Sequence, residues 1–233
     1  MPDDEAFKRA AAERAVEHVE SGMRLGLGTG STVAYFLEVL AARIRARTVT
    51  GLIAVPTSVR TEERARELGI TLAELDEVTP LDLTVDGADE VGPGLDLIKG
   101  LGGALLREKM VAQASLRLVI MVDDSKEVGR LGTRVPLPVE VIRFGWRAQI
   151  AFLSQLGSEP GLRLSEDGSP FVTDNGNHMI DCRFAGGIDD PEGVDDALRC
   201  RAGVVESGLF LGMATAVVLA GADGIRVLER RGD

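Results

Sequence analysis

The stretch Met23-Arg24-Leu25-Gly26-Leu27-Gly28-Thr29-Gly30-Ser31-Thr32-Val33 decides how the rest of the chain is read. A short apolar run passes through alternate glycines into two hydroxyl residues. Apolar side chains then recur at Val33, Phe36, Leu37, Leu40 and Ile44, the spacing of one helix face. The pattern is strand, glycine turn, helix. Upstream, Ala10, Ala11, Ala15, Val16 and Val19 mark a helix that Asp3 or Asp4 can cap and that stops before Gly22. Downstream, strands are expected at 51–55, 81–85 and 117–122, with helices at 61–68 and 104–114. Strands alternating with helices imply right-handed crossovers and a parallel sheet covered on both faces.

The rhythm changes near Gly132, where Thr133-Arg134-Val135-Pro136-Leu137-Pro138 forms an irregular segment with two prolines, and a domain boundary is placed there. Beyond it the pattern gives a strand at 139–142, a helix at 145–156, a strand at 162–165 and a strand near Val172 or over 179–182. A helix at 194–200 and a strand at 204–207 complete a split β-α-β arrangement of ferredoxin-like type. Segments 215–220 and 224–228 read as strands returning to the first domain. The expected organisation is therefore 1–132 plus 208–233 as a parallel-sheet α/β domain, with 133–207 as an inserted α+β domain.

Composition narrows the function classes. The chain has 233 residues, 45% hydrophobic and 27% charged, enough for one large core or two small ones. Two cysteines, Cys182 and Cys200, are too few for a disulfide scaffold and point to a reducing cytoplasm. With 37 acidic against 26 basic side chains the net charge is -11, and no basic stripe is present for nucleic acid. The longest uncharged run, 207–222, has 16 residues, fewer than the roughly 20 that span a bilayer, so it reads as buried strand. The first 20 residues carry early acids and no apolar core of a signal peptide, so a cytoplasmic protein without a membrane partner is expected. Only Lys8, Lys99, Lys109 and Lys126 among the basic residues are lysine. Arginine bias explains that ratio. It does not explain why two of the four fall in glycine-rich or carboxylate-rich stretches, where a compact ammonium differs from a planar fork.

Several segments can carry chemistry. The loop 26–32 is no dinucleotide fingerprint, because Ser31 stands at its third glycine, and no lysine precedes Ser31 or Thr32 as in a P-loop. Its backbone N–H groups, its hydroxyls and a helix N-terminus suit a phosphate monoester; a simple helix cap is the alternative. Asp86, Asp89 and Glu90 follow a strand end, where α/β sheets bind ligands, and catalysis, Mg²⁺ binding and capping all remain open for them. The segment Lys99-Gly100-Leu101-Gly102-Gly103-Ala104-Leu105-Leu106-Arg107-Glu108-Lys109 leads a glycine turn into a helix. A carboxylate such as Glu108 near a cation can lift a proton beside a carbonyl, while the Lys99 ammonium steadies the enediolate oxygen. Lys126, after Asp123-Asp124-Ser125, could add a second cation. An ordinary solvated helix face is the plain alternative for any one of these residues. His18 and His178 have no spacing for a zinc site with cysteine.

Taken in order, Gly28-Thr29-Gly30-Ser31-Thr32, Asp86-Gly87-Ala88-Asp89-Glu90, Lys99-Gly100 to Arg107-Glu108-Lys109, Pro136-Leu137-Pro138-Val139-Glu140-Val141 and Val172-Thr173-Asp174-Asn175-Gly176-Asn177 resemble the ribose-5-phosphate isomerase type A family over nearly the whole chain. The resemblance implies a Rossmann-like domain with an inserted ferredoxin-like α+β domain. It also implies interconversion of ribose 5-phosphate and ribulose 5-phosphate, in the non-oxidative pentose phosphate pathway, without metal or organic cofactor. By the same resemblance Glu108 shuttles the proton between C2 and C1 and Lys99 stabilises the oxyanion. Asp86 and Asp89 hold sugar hydroxyls and help to open the furanose ring. Thr29, Gly30, Ser31, Thr32 and Lys126 bind the ligand's polar ends, and Gly87, Ala88, Gly100, Leu101 and Gly102 complete the substrate-binding set. Members form homodimers or homotetramers. Leu101 departs from the family's usual glycine. Two rival classes fit less well: a non-catalytic sugar-phosphate sensor has no use for Glu108 with Lys99, and a nicotinamide oxidoreductase needs an acid where Val55-Pro56-Thr57-Ser58 stands.

Overall fold

The computed structural model describes residues 2–230, with side chains from Asp4 onward. In chain order the first elements are α1 (Pro2–Ala15), β1 (Arg24–Leu27), α2 (Ser31–Arg45), β2 (Ile53–Pro56), α3 (Val59–Glu67), α4 (Leu75–Val78) and β3 (Leu83–Asp86). Next come β4 (Glu90–Val91), β5 (Leu97–Ile98), α5 (Leu105–Gln113), β6 (Leu118–Asp123), β7 (Leu137–Val141), α6 (Arg147–Gln155) and β8 (Ser158–Leu162). The last are β9 (His178–Phe184), α7 (Pro191–Arg199), β10 (Val204–Ser207), β11 (Leu209–Phe210), β12 (Ala216–Gly221) and β13 (Gly224–Glu229). None of the helices among the described residues is long and apolar enough to cross a membrane.

The chain divides into two compact units. The first comprises residues up to Ala88, Arg107–Lys126 and those from Met213 onward. Its sheet has the order β13-β12-β6-β3-β1-β2, parallel except for the edge pair β12 and β13. All six residues of β6 are buried, and the first five, Leu118–Val122, form the continuous apolar run of a strand covered on both faces. Phe36, Leu37 and Leu40 of α2 and Ala11, Ala12 and Ala15 of α1 pack on Leu25, Leu27, Leu83, Val85, Met121 and Val218 in one core. The strand order turns back at β1, whose neighbours are β2 on one side and β3 on the other, so the β1 and β3 ends flank the switch point where open α/β sheets bind ligands. One expectation is corrected: α1 already starts at Pro2, so Asp4 lies inside the first turn and pairs with Lys8 at 2.8 Å instead of capping. The side chain of Asp3 lies outside the described residues.

The second unit comprises Asp89–Leu106 and Glu127–Gly212. Its larger sheet is antiparallel, in the order β10-β7-β9-β8, and the chain runs through it as β7, α6, β8, β9, α7, β10. Leu137, Val139 and Val141 meet Ile180, Cys182, Leu153 and Leu198 in its core. The strand expected at 162–165 falls earlier, at Ser158–Leu162, although this segment contains Pro160 and Gly161. β8 is an edge strand, where a missing N–H costs no ladder bond.

A second, three-stranded sheet, β11-β5-β4, also belongs to this unit, and the sequence did not announce it. The Glu90 carboxylate adds to it by accepting the backbone N–H groups of Gly132, Arg134 and Val135 at 2.5, 2.6 and 2.9 Å. These contacts place 89–106 and 127–132 with the second unit, not with the first as a boundary at Gly132 implied. Pairing of β11 with β5 likewise carries that unit to Gly212, beyond the expected end at 207.

Candidate active site

In the first unit the register sets Leu27 opposite Val85, so the two chains leave the sheet side by side at Gly28 and Asp86. The Gly28 N–H donates to the Val85 carbonyl at 3.0 Å. Asp86 Oδ1 accepts the N–H groups of Thr29 at 3.0 Å and Gly87 at 2.7 Å, which fastens the glycine turn to the end of β3. No side chain fits at Gly28: a Cβ there would stand 2.0 Å from Asp86 Oδ1 and 2.6 Å from Asp86 Cα.

Thr29 Oγ1 lies 2.8 Å from Thr57 Oγ1, 2.8 Å from Ser58 Oγ and 3.2 Å from Thr61 Oγ1. Thr61 donates in turn to the Gly28 carbonyl at 2.8 Å. The Thr29 hydroxyl therefore serves the turn through a buried hydroxyl cluster that the motif reading missed. A signal existed in the capping pattern of α3, where Ser58 Oγ accepts the Thr61 N–H. Gly30, with φ +128°, is the N-cap of α2 and supplies no side-chain cap. Ser31 and Thr32 then open the helix, an arrangement whose N–H groups and hydroxyls suit an anion.

Glu108 sits in the first turn of α5 and is only 4% exposed, so the solvated-face alternative does not hold for it. Lys126 is half-buried in a single helical turn after β6, where Asp123 accepts the Ser125 N–H at 3.1 Å.

In the second unit Asp89 Oδ2 accepts the Leu101 N–H at 2.9 Å. Lys99 is buried, at 2% exposure; its backbone N–H donates to the Gly208 carbonyl at 2.9 Å, and Nζ stands 5.5 Å from the Phe210 ring centre. Gly100 adopts φ +100°, which leads the chain into the turn, whereas Leu101 is not among the residues with positive φ. The family's glycine is thus not conformationally required at 101, and Leu101 uses its backbone while its side chain is exposed. The Gly100 and Leu101 carbonyls accept from Arg163, a residue that no motif marked.

The three carboxylates of Asp86-Gly87-Ala88-Asp89-Glu90 are thereby separated by role. Asp86 holds the glycine turn, Asp89 holds the lysine loop, and Glu90 is taken up by the 132–135 backbone. Both central motifs run from one unit into the other along the chain, at 88–89 and again at 106–107.

A glycine turn at the switch point of a parallel sheet, with a strand-end carboxylate and a buried glutamate at the head of a helix, defines an α/β enzyme of acid–base chemistry on a small ligand. The family model described as ribose 5-phosphate isomerase A (phosphoriboisomerase A) matches residues 53–224. Ribose-5-phosphate isomerase A of Roseiflexus castenholzii is 55% identical over 227 residues, 97% of each chain. Among solved structures, a D-ribose-5-phosphate isomerase in complex with phospho-erythronic acid superposes with TM-score 0.95 at 39% identity, covering 98% of this chain and 100% of its own. Ribose 5-phosphate isomerase A from Methanocaldococcus jannaschii gives 0.92 at 40% identity, covering 97% and 99%. The chain belongs to the ribose 5-phosphate isomerase A family.

Proposed function

We propose that the protein interconverts D-ribose 5-phosphate and D-ribulose 5-phosphate, as an aldose–ketose isomerase of the non-oxidative pentose phosphate pathway. An aspartate, Asp86 or Asp89, takes the anomeric hydroxyl proton as the C1–O4 bond of the furanose ring breaks, and the proton passes to the ring oxygen O4, which becomes a hydroxyl. Glu108 removes the C2 proton of the aldehyde to give a cis-enediolate and returns it to C1, while the O2 proton passes to O1; no atom is gained or lost. Lys99 stabilises the enediolate oxygen, an ammonium being a point charge that fits one oxygen. Ser31, Thr32 and the N–H groups at the head of α2 bind the phosphate, with Thr29, Gly30, Gly87, Ala88, Gly100, Leu101, Gly102 and Lys126 completing the substrate set.

The observation that carries this reading is full-length likeness in a chain whose Glu108 is buried at the head of α5 directly after the glycine turn. In the same reading the first unit is a Rossmann-like catalytic domain. The second is an inserted ferredoxin-like α+β domain, which the succession β7, α6, β8, β9, α7, β10 supports. The protein works in the cytoplasm as a homodimer or homotetramer, without metal or organic cofactor.

The test is ketose formation from ribose 5-phosphate by purified protein in the presence of a chelator. Turnover is expected to persist, and Glu108→Gln is expected to lose most of kcat while still binding substrate, because the amide keeps the shape but not the base. Near wild-type turnover in that variant removes Glu108 from the chemistry.

A further inference from the structure

Arg163 follows β8 in the second unit and is largely buried, with 13% of its side chain exposed. Its Nε donates to Asp181 Oδ2 at 2.9 Å and its Nη2 to Asp181 Oδ1, a two-pronged pairing that fixes the guanidinium plane. Nη1 reaches the Leu101 carbonyl at 2.9 Å and the Gly100 carbonyl at 3.3 Å. A trans peptide points its N–H opposite to its C=O. With both carbonyls turned to Arg163, the N–H groups of Leu101 and Gly102 are turned away from it, and that of Leu101 ends on Asp89 Oδ2 at 2.9 Å.

The far end of the loop is braced from the same side. The guanidinium carbon stands 5.7 Å from the Phe171 ring centre. That ring closes over Gly103, where a Cβ would lie 2.5 Å from its nearest carbon. Asp181 balances the charge of Arg163, so what the arginine gives the loop is direction.

We propose that Arg163, held by Asp181, is a positioning residue of the isomerase reaction. It sets where the Leu101 and Gly102 N–H groups point and so holds in shape the turn that Lys99 begins. The proposal rests on the role given above to the Lys99 loop in steadying the enediolate.

The test compares wild type, Arg163→Lys, Asp181→Asn and their double variant by kcat, KM and melting temperature, with calorimetric binding of phospho-erythronate, whose planar carboxylate imitates the two enediolate oxygens. Lysine keeps the charge but cannot span both Asp181 and the two carbonyls. Arg163→Lys is expected to lose about tenfold or more in kcat, with KM moving by less than about threefold, because misplaced groups fail in the transition state more than in substrate binding. Asp181→Asn is expected to change in the same sense, and the double variant to be little worse than the worse single one, as for residues acting as a unit. Phospho-erythronate affinity is expected to fall with kcat.

The proposal is overturned if kcat stays within about threefold of wild type in the folded variants, or if KM alone rises. It is also overturned if the loss vanishes once the assay is run well below the melting temperature, since that is what a merely structural ion pair would give. Lys99→Arg separates the two levels. Full activity in that variant refutes the role of the loop itself, whereas an impaired Lys99→Arg beside fully active Arg163 and Asp181 variants refutes only the part given to Arg163.

Discussion

Gly28→Ala tests whether the seam between β1 and β3 governs both stability and turnover. A methyl group there would meet Asp86 Oδ1 at 2.0 Å, Asp86 Cγ at 2.2 Å and Asp86 Cα at 2.6 Å. Turning the Asp86 side chain away clears the first two contacts but not the third, which is backbone. To reach the 3.4 Å of an ordinary contact the two strand ends must part by about 0.8 Å. That movement strains the Gly28 to Val85 hydrogen bond and draws Asp86 Oδ1 away from the Thr29 N–H. Overpacking of this kind costs about 1–3 kcal/mol. At roughly 2–4 °C per kcal/mol for a chain of this size, the melting temperature is expected to fall by about 2–12 °C. Because the same shift displaces both Asp86 and the turn that leads to Ser31, kcat/KM for ribose 5-phosphate should fall by on the order of 10²-fold even at temperatures where the variant is folded. Melting curves and steady-state assays on one preparation measure both effects. A variant that melts and turns over like wild type would show that the seam opens freely and that Asp86 is not held in place for the reaction.

Further outcomes follow from the same geometry. Ser31→Ala with Thr32→Ala should chiefly raise KM for ribose 5-phosphate, since the phosphate is remote from the reacting carbons and is held alike in ground and transition states. Each lost charged hydrogen bond is worth about 1.5–3 kcal/mol, and unchanged affinity for a pentose-phosphate analogue would reduce the loop to a helix cap. Glu90→Gln should lower stability without altering KM, because its carboxylate serves three backbone N–H groups of 132–135; a matching melting temperature would count against that role. Hydrogen bonds from the Arg24 side chain and backbone hold the Asp82 carboxyl below its ordinary 3.8. Its folded pKa is depressed, so the stabilisation is present above the unfolded value and is lost as pH falls through the folded one. The melting-temperature gap between wild type and Asp82→Asn should therefore be steady near neutrality and close below about pH 4; a gap that persists in acid would refute the assignment.

What the sequence determined by itself was local in character. Apolar spacing from Val33 to Ile44 and the glycines before it dictate strand, turn and helix through neighbouring residues alone, and α2 and β1 lie where that pattern puts them. The ordered motifs likewise mark the family, because residue types at set spacings are read along the chain alone. Tertiary structure decided what distant partners make of them. Glu90 looks like Asp86 and Asp89 in sequence, yet it is a structural acceptor because the backbone of 132–135 folds onto it. Two-residue strands such as β4 and β5 have no periodicity to read and exist only through each other and β11. Pro160 argues against a strand until the sheet order shows β8 at an edge, where its absent N–H has no ladder partner to lose. Arg163 carries no signal at all, since its meaning lies in two carbonyls more than sixty residues earlier in the chain. A carboxylate or guanidinium takes its role from the donors and acceptors that the fold brings within 3 Å, and such long-range pairings leave no imprint on the local pattern.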